Sequence, residues 1–140
     1  MASILNKFHC FVEDRSEKVH NLSSDVLMVM LTNSAPSASN TVKSDITEIS
    51  AGNGYSAGGT QAVQASSAQT GGVYKLVLTD FAFTAAGGTI GPFRYAVLYN
   101  DTSPSDSLIG WYDYGSSITL ADTEHIDVDF DGTNGVLTDQ

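Results

Sequence analysis

Along most of the chain apolar side chains recur at every second position, the spacing of half-buried strands rather than of helices. Val26-Leu27-Met28-Val29-Met30-Leu31 breaks that rhythm with a continuous apolar run, halted by Thr32-Asn33-Ser34-Ala35-Pro36. It is too short and too abruptly stopped for a typical helix, and it predicts a central buried strand. Residues 73–83 alternate for long enough to bend across two sheets, and Pro92 opens the apolar, aromatic stretch 93–99. Residues 108–114, 118–120, 125–130 and 135–138 supply further strands. Between them lie Gly52-Asn53-Gly54, Gly58-Gly59, Gly71-Gly72, Gly87-Gly88, Asn100-Asp101 and Asp131-Gly132, turn signals because Gly, Asn and Asp tolerate positive φ. About eight strands around one core predict an all-β fold, a jellyroll-like antiparallel β-sandwich. Its expected core is residues 26–31, 76–78 and 93–98 together with Ile126, Val128 and Phe130.

Two stretches resist this reading. Leu5, Phe8, Val12, Val19 and Leu22 fit a helical stripe, whereas Phe8, Cys10 and Val12 against Lys7, His9 and Phe11 fit strand alternation. Residues 1–22 are therefore expected as either an extended arm or a short helix. Residues 50–72 are rich in Ser, Ala, Gly and Gln, with Tyr55 the only aromatic, and predict an extended surface loop leading into a polar strand around residues 60–65. With no internal repeat and no linker composition, the 140 residues are expected to form a single domain, residues 1–140, exposing roughly 7,000 Å² when folded.

Charge narrows the function classes. Sixteen acidic against six basic residues give a formal charge of -10, which disfavours direct binding to nucleic acid or an anionic membrane and favours solubility or a basic protein partner. No run approaches the roughly 18 apolar residues of a membrane span. Residues 1–11 lack a basic-then-apolar signal pattern, and the lone Cys10 cannot close an internal disulfide, so synthesis in a reducing, intracellular compartment is expected.

The sharpest chemical pattern is His125-Ile126-Asp127-Val128-Asp129-Phe130-Asp131, within a segment, residues 101–140, that has nine Asp or Glu and no Lys or Arg. In a strand Ile126, Val128 and Phe130 line the core, and Asp127, Asp129 and Asp131 project outward as a candidate partner-contact row. Asp127-x-Asp129-x-Asp131-Gly132 also opens like an EF-hand calcium loop, but the twelfth position is Thr138 where a bidentate Glu is needed. Alternate carboxylates on a strand stand about 7 Å apart and cannot converge on one ion. No metal site is expected.

His9, His20 and His125 have no ligand spacing with one another or with Cys10, and are expected as ordinary surface or turn histidines. No Gly-x-Ser-x-Gly elbow occurs, residues 52–59 lack the Lys and Ser/Thr of a phosphate loop, and Asp122 and Glu124 have no aromatic platform around them. No catalytic residue and no cofactor are expected, so the chain reads as a non-enzyme. Trp111, among Tyr95, Tyr99, Tyr112 and Tyr114, is expected to fill the sandwich core, the alternative being an exposed Tyr strip for sugars or a protein. Arg94 is the only basic residue after Lys75 and needs a carboxylate partner, Asp113 or Asp101.

Four segments in order carry a family resemblance: residues 25–36 (Asp-Val-Leu-Met-Val-Met-Leu-Thr-Asn-Ser-Ala-Pro), 51–59 (Ala-Gly-Asn-Gly-Tyr-Ser-Ala-Gly-Gly), 91–101 (Gly-Pro-Phe-Arg-Tyr-Ala-Val-Leu-Tyr-Asn-Asp) and 109–115 (Ile-Gly-Trp-Tyr-Asp-Tyr-Gly). Over roughly residues 7–138 the chain resembles tailed-bacteriophage head cement, or capsid decoration, proteins. The resemblance implies a small jellyroll-like sandwich that binds the outside of an HK97-like shell as an oligomer and stiffens it. The implied partners are the major capsid protein and a second copy, a homodimer being favoured because two-fold interfaces are commonest. The implied location is the outer capsid surface of the virion, after assembly in the host cytoplasm. The family implies no catalytic residue. A tail-fibre or receptor-binding β module is the alternative, since it shares the Gly- and Ser-heavy β composition.

Overall fold

The strands that the period-two pattern predicts are present: in the computed structural model, which describes residues 4–139, every strand pairing is antiparallel. The strands are β1 (Asn6–Lys7), β2 (Leu27–Thr32), β3 (Thr60–Gln61), β4 (Gln64–Thr70), β5 (Val73–Leu78), β6 (Phe81–Thr84), β7 (Ile90–Asn100), β8 (Leu108–Leu120), β9 (His125–Val128) and β10 (Leu137–Asp139). One helix, α1 (His9–Ser16), follows β1. Apart from the two-residue β1 and β3, eight strands build the all-β sandwich expected from the sequence.

One layer is a five-stranded sheet in the order β1-β8-β7-β2-β3. The other consists of a three-stranded sheet, β10-β5-β4, and a two-stranded ladder, β6-β9. Because β5 runs on into β6 and β9 leads to β10, the β5–β10 and β6–β9 pairings are consecutive parts of one bent ribbon. The alternation over residues 73–83 breaks at Thr79 and Asp80, where the chain passes from one ladder to the next. Between the layers lies one apolar cluster, with Leu27, Val29, Leu31, Phe93, Ala96 and Leu98 meeting Leu76, Leu78, Phe83, Ile126, Val128 and Phe130. The exposed surface, 6967 Å², is what a single domain of this size presents.

Local chemistry decides the ambiguous stretches. Phe8 and Phe11 are both buried, but Phe8 packs in the cluster on the outer face of the five-stranded sheet and Phe11 in the inner one, so the chain must turn between them. Residues 9–16 accordingly form a short helix, and Phe8 precedes it in extended conformation. In the glycine-rich stretch Tyr55 is buried, not on the surface, and the polar strand runs on to Thr70. Gly59 adopts φ +86° with its backbone pressed on β2, where a Cβ would overlap the Val29 carbonyl. The two segments expected over 108–114 and 118–120 are one strand, β8, exposed at residues 114–117.

Two expectations are corrected. Trp111 is only partly buried and lies on the outer face of the five-stranded sheet, against Phe8 at 4.7 Å between ring centroids, while Tyr112 takes the inward position. His20 is not a surface residue but a buried one, packed beside Phe11.

Candidate functional site

The register of β6 on β9 sets the acidic edge. Phe81 faces Val128, Ala82 faces Asp127, Phe83 faces Ile126 and Thr84 faces His125. Phe83, Ile126 and Val128 turn inward, which leaves Ala82 and Asp127 side by side on the solvent face. Extending the same register one step places Asp80 across from Asp129, both exposed. Asp80, Phe81, Ala82, Asp127 and Asp129 line an open groove of about 470 Å³. Its floor is shallow at Ala82, whose methyl group leaves room between the carboxylates.

Two of the three carboxylates have a local contact. Asp80 accepts a hydrogen bond from the Phe130 amide at 2.8 Å, which fixes the turn after β9. The His125 ring nitrogen lies 3.7 Å from the Asp127 carboxylate, an attraction present only when the imidazole is protonated. Like charges at opposed sheet positions destabilise the pair, so Asp80 and Asp129 form a site that gains from an added cation. A guanidinium or ammonium group fits that need better than any neutral one.

Asp131 does not join the row. The strand ends at Val128, and the Asp131 carboxylate accepts from the Thr133 and Asn134 amides at 2.9 and 2.8 Å and from the Asn134 side chain at 3.0 Å. These bonds hold its carboxyl below the usual carboxylate range. Asp131 therefore builds its own turn, and Asp80 takes the third place in the groove. The Asp-Gly-Thr-Asn string was a readable sign of the first fact, since Asp bonds backbone amides two residues on. Asp80 carried a weaker sign, its place at the break of the residue 73–83 alternation. Among the described residues no group of three or more His, Cys, Asp or Glu is arranged to hold a metal ion.

The other polar clusters serve the fold. Arg94 donates to both Asp113 oxygens at 2.8 and 3.1 Å, one of the two pairings considered from sequence, though on a half-exposed strand surface. Glu48 accepts from the Tyr55 hydroxyl and the Gly58 amide, each at 2.6 Å, and the same hydroxyl accepts from the Leu31 amide at 3.0 Å. This chain of bonds ties residues 48–58 to β2, and burial pushes the Tyr55 hydroxyl pKa up. Asn100 accepts the Thr102 and Ser103 amides through its oxygen, so its amide nitrogen donates to Asp25 at 2.7 Å and to His20 Nδ1 at 2.9 Å. That fixes His20 as the neutral tautomer with hydrogen on Nε2, a buried donor with no protein partner among the described residues.

Among the described residues no helix is long and apolar enough to cross a membrane. Compared with family models, with curated proteins and with solved structures, the chain matches none.

Proposed function

We propose that this chain is a non-enzymatic virion structural protein that binds the outer surface of a tailed-phage capsid and cements neighbouring major capsid protein subunits against the pressure of packaged DNA. The observation that carries the reading is the groove of Asp80, Asp127 and Asp129, an acidic contact surface built on rigid strands without catalytic furniture. The order of the four segments that resemble head cement proteins supports the same reading. An acidic clamp is repelled by the genome and attracted to basic side chains on the shell. Exposed ion pairs contribute only about 0 to 1 kcal/mol each, so the groove steers and registers docking while apolar burial and backbone pairing supply most of the affinity. A clamp that spans subunits stabilises the shell because separation must also break its interfaces.

The test replaces Asp80, Asp127 and Asp129 together by Asn, which keeps size and strand geometry and removes the charge. The triple variant is expected to fold normally, to associate more slowly with shells depleted of the protein, and to lose most of the salt sensitivity of that association. Unchanged association and salt dependence would reduce the groove to a solvated face. Labelled electron microscopy of virions that placed the protein on the tail would transfer the reading to a tail-fibre or receptor-binding module.

A further inference from the structure

We propose that β4 is where two copies of this chain join, by antiparallel pairing of β4 with β4 about a two-fold axis normal to the sheet. The inference names the surface for the self-association expected of a capsid clamp, and it rests on that half of the reading, not on capsid binding. β4 is an outer strand of the β10-β5-β4 sheet and seven residues long. At about 3.3 Å per residue it offers an edge of roughly 23 Å. Its one irregularity is a bulge between Gln64 and Ser66, which leaves Ser66 to Thr70 regular. Among the described residues the backbone of Ser66 to Thr70 makes no hydrogen bond to other backbone except with β5. The outward N–H and C=O groups of such an edge are a template for another strand.

The other edges are shorter, charged or irregular: beyond its two-residue pairing with β1, β8 carries Asp113 and pairs with β7 through register shifts. β1 and β3 have two residues each. β10 has three, with Asp139 bridged to Arg15 at 3.0 Å, and β9 has four and carries His125 and Asp127. Natural edge strands are commonly protected by Lys, Pro or inward charges, and β4 has none of these.

Charge selects the occupant. The chain carries -10, yet residues 49–74 contain no Asp, Glu, Lys or Arg. Two copies repel across most of their surfaces and meet without repulsion at β4, where an antiparallel edge is its own complement under two-fold symmetry. A basic partner has no reason to prefer this strand, and a second copy does. The side chains that would approach are short apart from Gln69, which accepts from the Gly72 amide at 3.0 Å: Ala65, Ser66, Ala68 and Thr70 are exposed, and Ser67 is tied to the Tyr74 hydroxyl at 2.7 Å. β10 flanks β5 on the side away from β4, so pairing gives a continuous layer β10-β5-β4-β4-β5-β10. β6 and β9, which carry the acidic groove, do not pair with β4, so each copy keeps its groove and the dimer carries two.

Sedimentation velocity of the purified full chain across a concentration series tests the proposal, with Ala68→Glu and Ala68→Lys as variants. Ala68 is exposed, so both are expected to keep the wild-type circular dichroism and melting temperature. The wild type is expected to dimerise, and each variant, whatever the sign of its charge, to raise the dissociation constant about tenfold or more by opposing like charges across the dyad. Amides of Ser66 to Thr70 should exchange more slowly as concentration rises. A wild type that stays monomeric at high micromolar concentration overturns the proposal, as does a dimer that neither variant weakens. A monomer whose β4 amides become protected only on added shells overturns it too, giving the edge to the capsid protein. A dimer broken by both variants that binds no shell leaves this proposal standing and sinks the capsid reading.

Discussion

The two faces of the five-stranded sheet are covered by different kinds of structure. The inner face packs against a second layer of strands, whose Leu76, Leu78, Phe83 and Ile126 are held in register by ladder hydrogen bonds. The outer face has no opposing sheet. There Met30, Val97, Tyr99 and Leu108 are sealed by Phe8 from the segment before α1, with Ile46, Cys10 and Trp111 packed around them. The consequence is visible in β7, where the five residues from Ala96 to Asn100 are all buried instead of alternating. A strand reads as a continuous apolar run when both of its faces are covered, whatever covers them. The covers are expected to differ in rigidity, because connecting segments commonly open at lower free energy than strands held in a sheet.

Phenylalanine truncation on each side separates the two. Phe93→Ala, in the inner cluster and fully buried, is expected to cost about 3 to 5 kcal/mol and to move the whole denaturant transition, because cavity and transfer losses fall on the shared core. Phe8→Ala, equally buried but on the outer face, is expected near the low end, about 3 kcal/mol. Its loss should appear first in hydrogen exchange as faster amides in residues 6–16, with the β5 and β7 amides still protected. Equal exchange profiles for the two variants would mean that both faces belong to one cooperative unit. A step smaller is Tyr99→Phe. The Tyr99 hydroxyl donates to the Gly58 carbonyl at 2.6 Å beneath the outer cover, and its removal leaves that buried acceptor unpaired. Chemical denaturation should show a loss of about 1 to 3 kcal/mol. A neutral result would mean that water reaches the carbonyl and that the cover is looser than its burial implies.

The sequence made the inner face easy to read and the outer face hard. The unbroken run 26–31 marked a central strand, and β2 is flanked by β7 and β3, but Val26, expected in the core, lies outside the strand and is exposed. The alternating stretch 73–83 marked β5 and β6, although its inward phase slips at Thr79 and Asp80, so that Leu76 and Leu78 before the bend and Phe81 and Phe83 after it face the core. Arg94 was legible as a paired cation, with Asp113 or Asp101 as its partner, and the β7–β8 pairing selects Asp113. Trp111 and Tyr112 were not, since adjacent strand residues face opposite sides and size alone favoured sending the Trp inward. The outer cluster that receives Trp111 depends on Phe8, more than a hundred positions earlier in the chain, a distance no local pattern encodes. At the acidic edge the alternation correctly gave Asp127 and Asp129 as outward, and Ile126, Val128 and Phe130 as buried. It failed one step later, where the turn chemistry of Asp131 outcompeted the strand, and it could not supply Asp80, whose place follows from the β6–β9 register.

His20 probes the rim of the inner core, and pH is the tool. Its burial beside Phe11 and Asn100 pushes the imidazole pKa below its ordinary value of 6.5, outweighing the nearby Asp14 and Asp25 carboxylates, which favour the charged form. Protonation would also set a new donor at Nδ1 against the Asn100 amide, which already donates there. The sign follows from where the proton goes. Below about pH 6.5 the unfolded chain binds a proton at this position that the native chain refuses, so stability from this group falls as pH drops through that value and levels off once the native pKa is passed. The slope from one such group is at most about 1.4 kcal/mol per pH unit, the most gradual of the effects considered. Urea midpoints measured between about pH 7.5 and 5 should decline for the wild type, and His20→Gln, which cannot titrate, should flatten that part of the profile. A variant with an unchanged slope would show that the imidazole binds its proton equally well in the native and unfolded chains, and with it that the rim of the core admits enough water to solvate the charge.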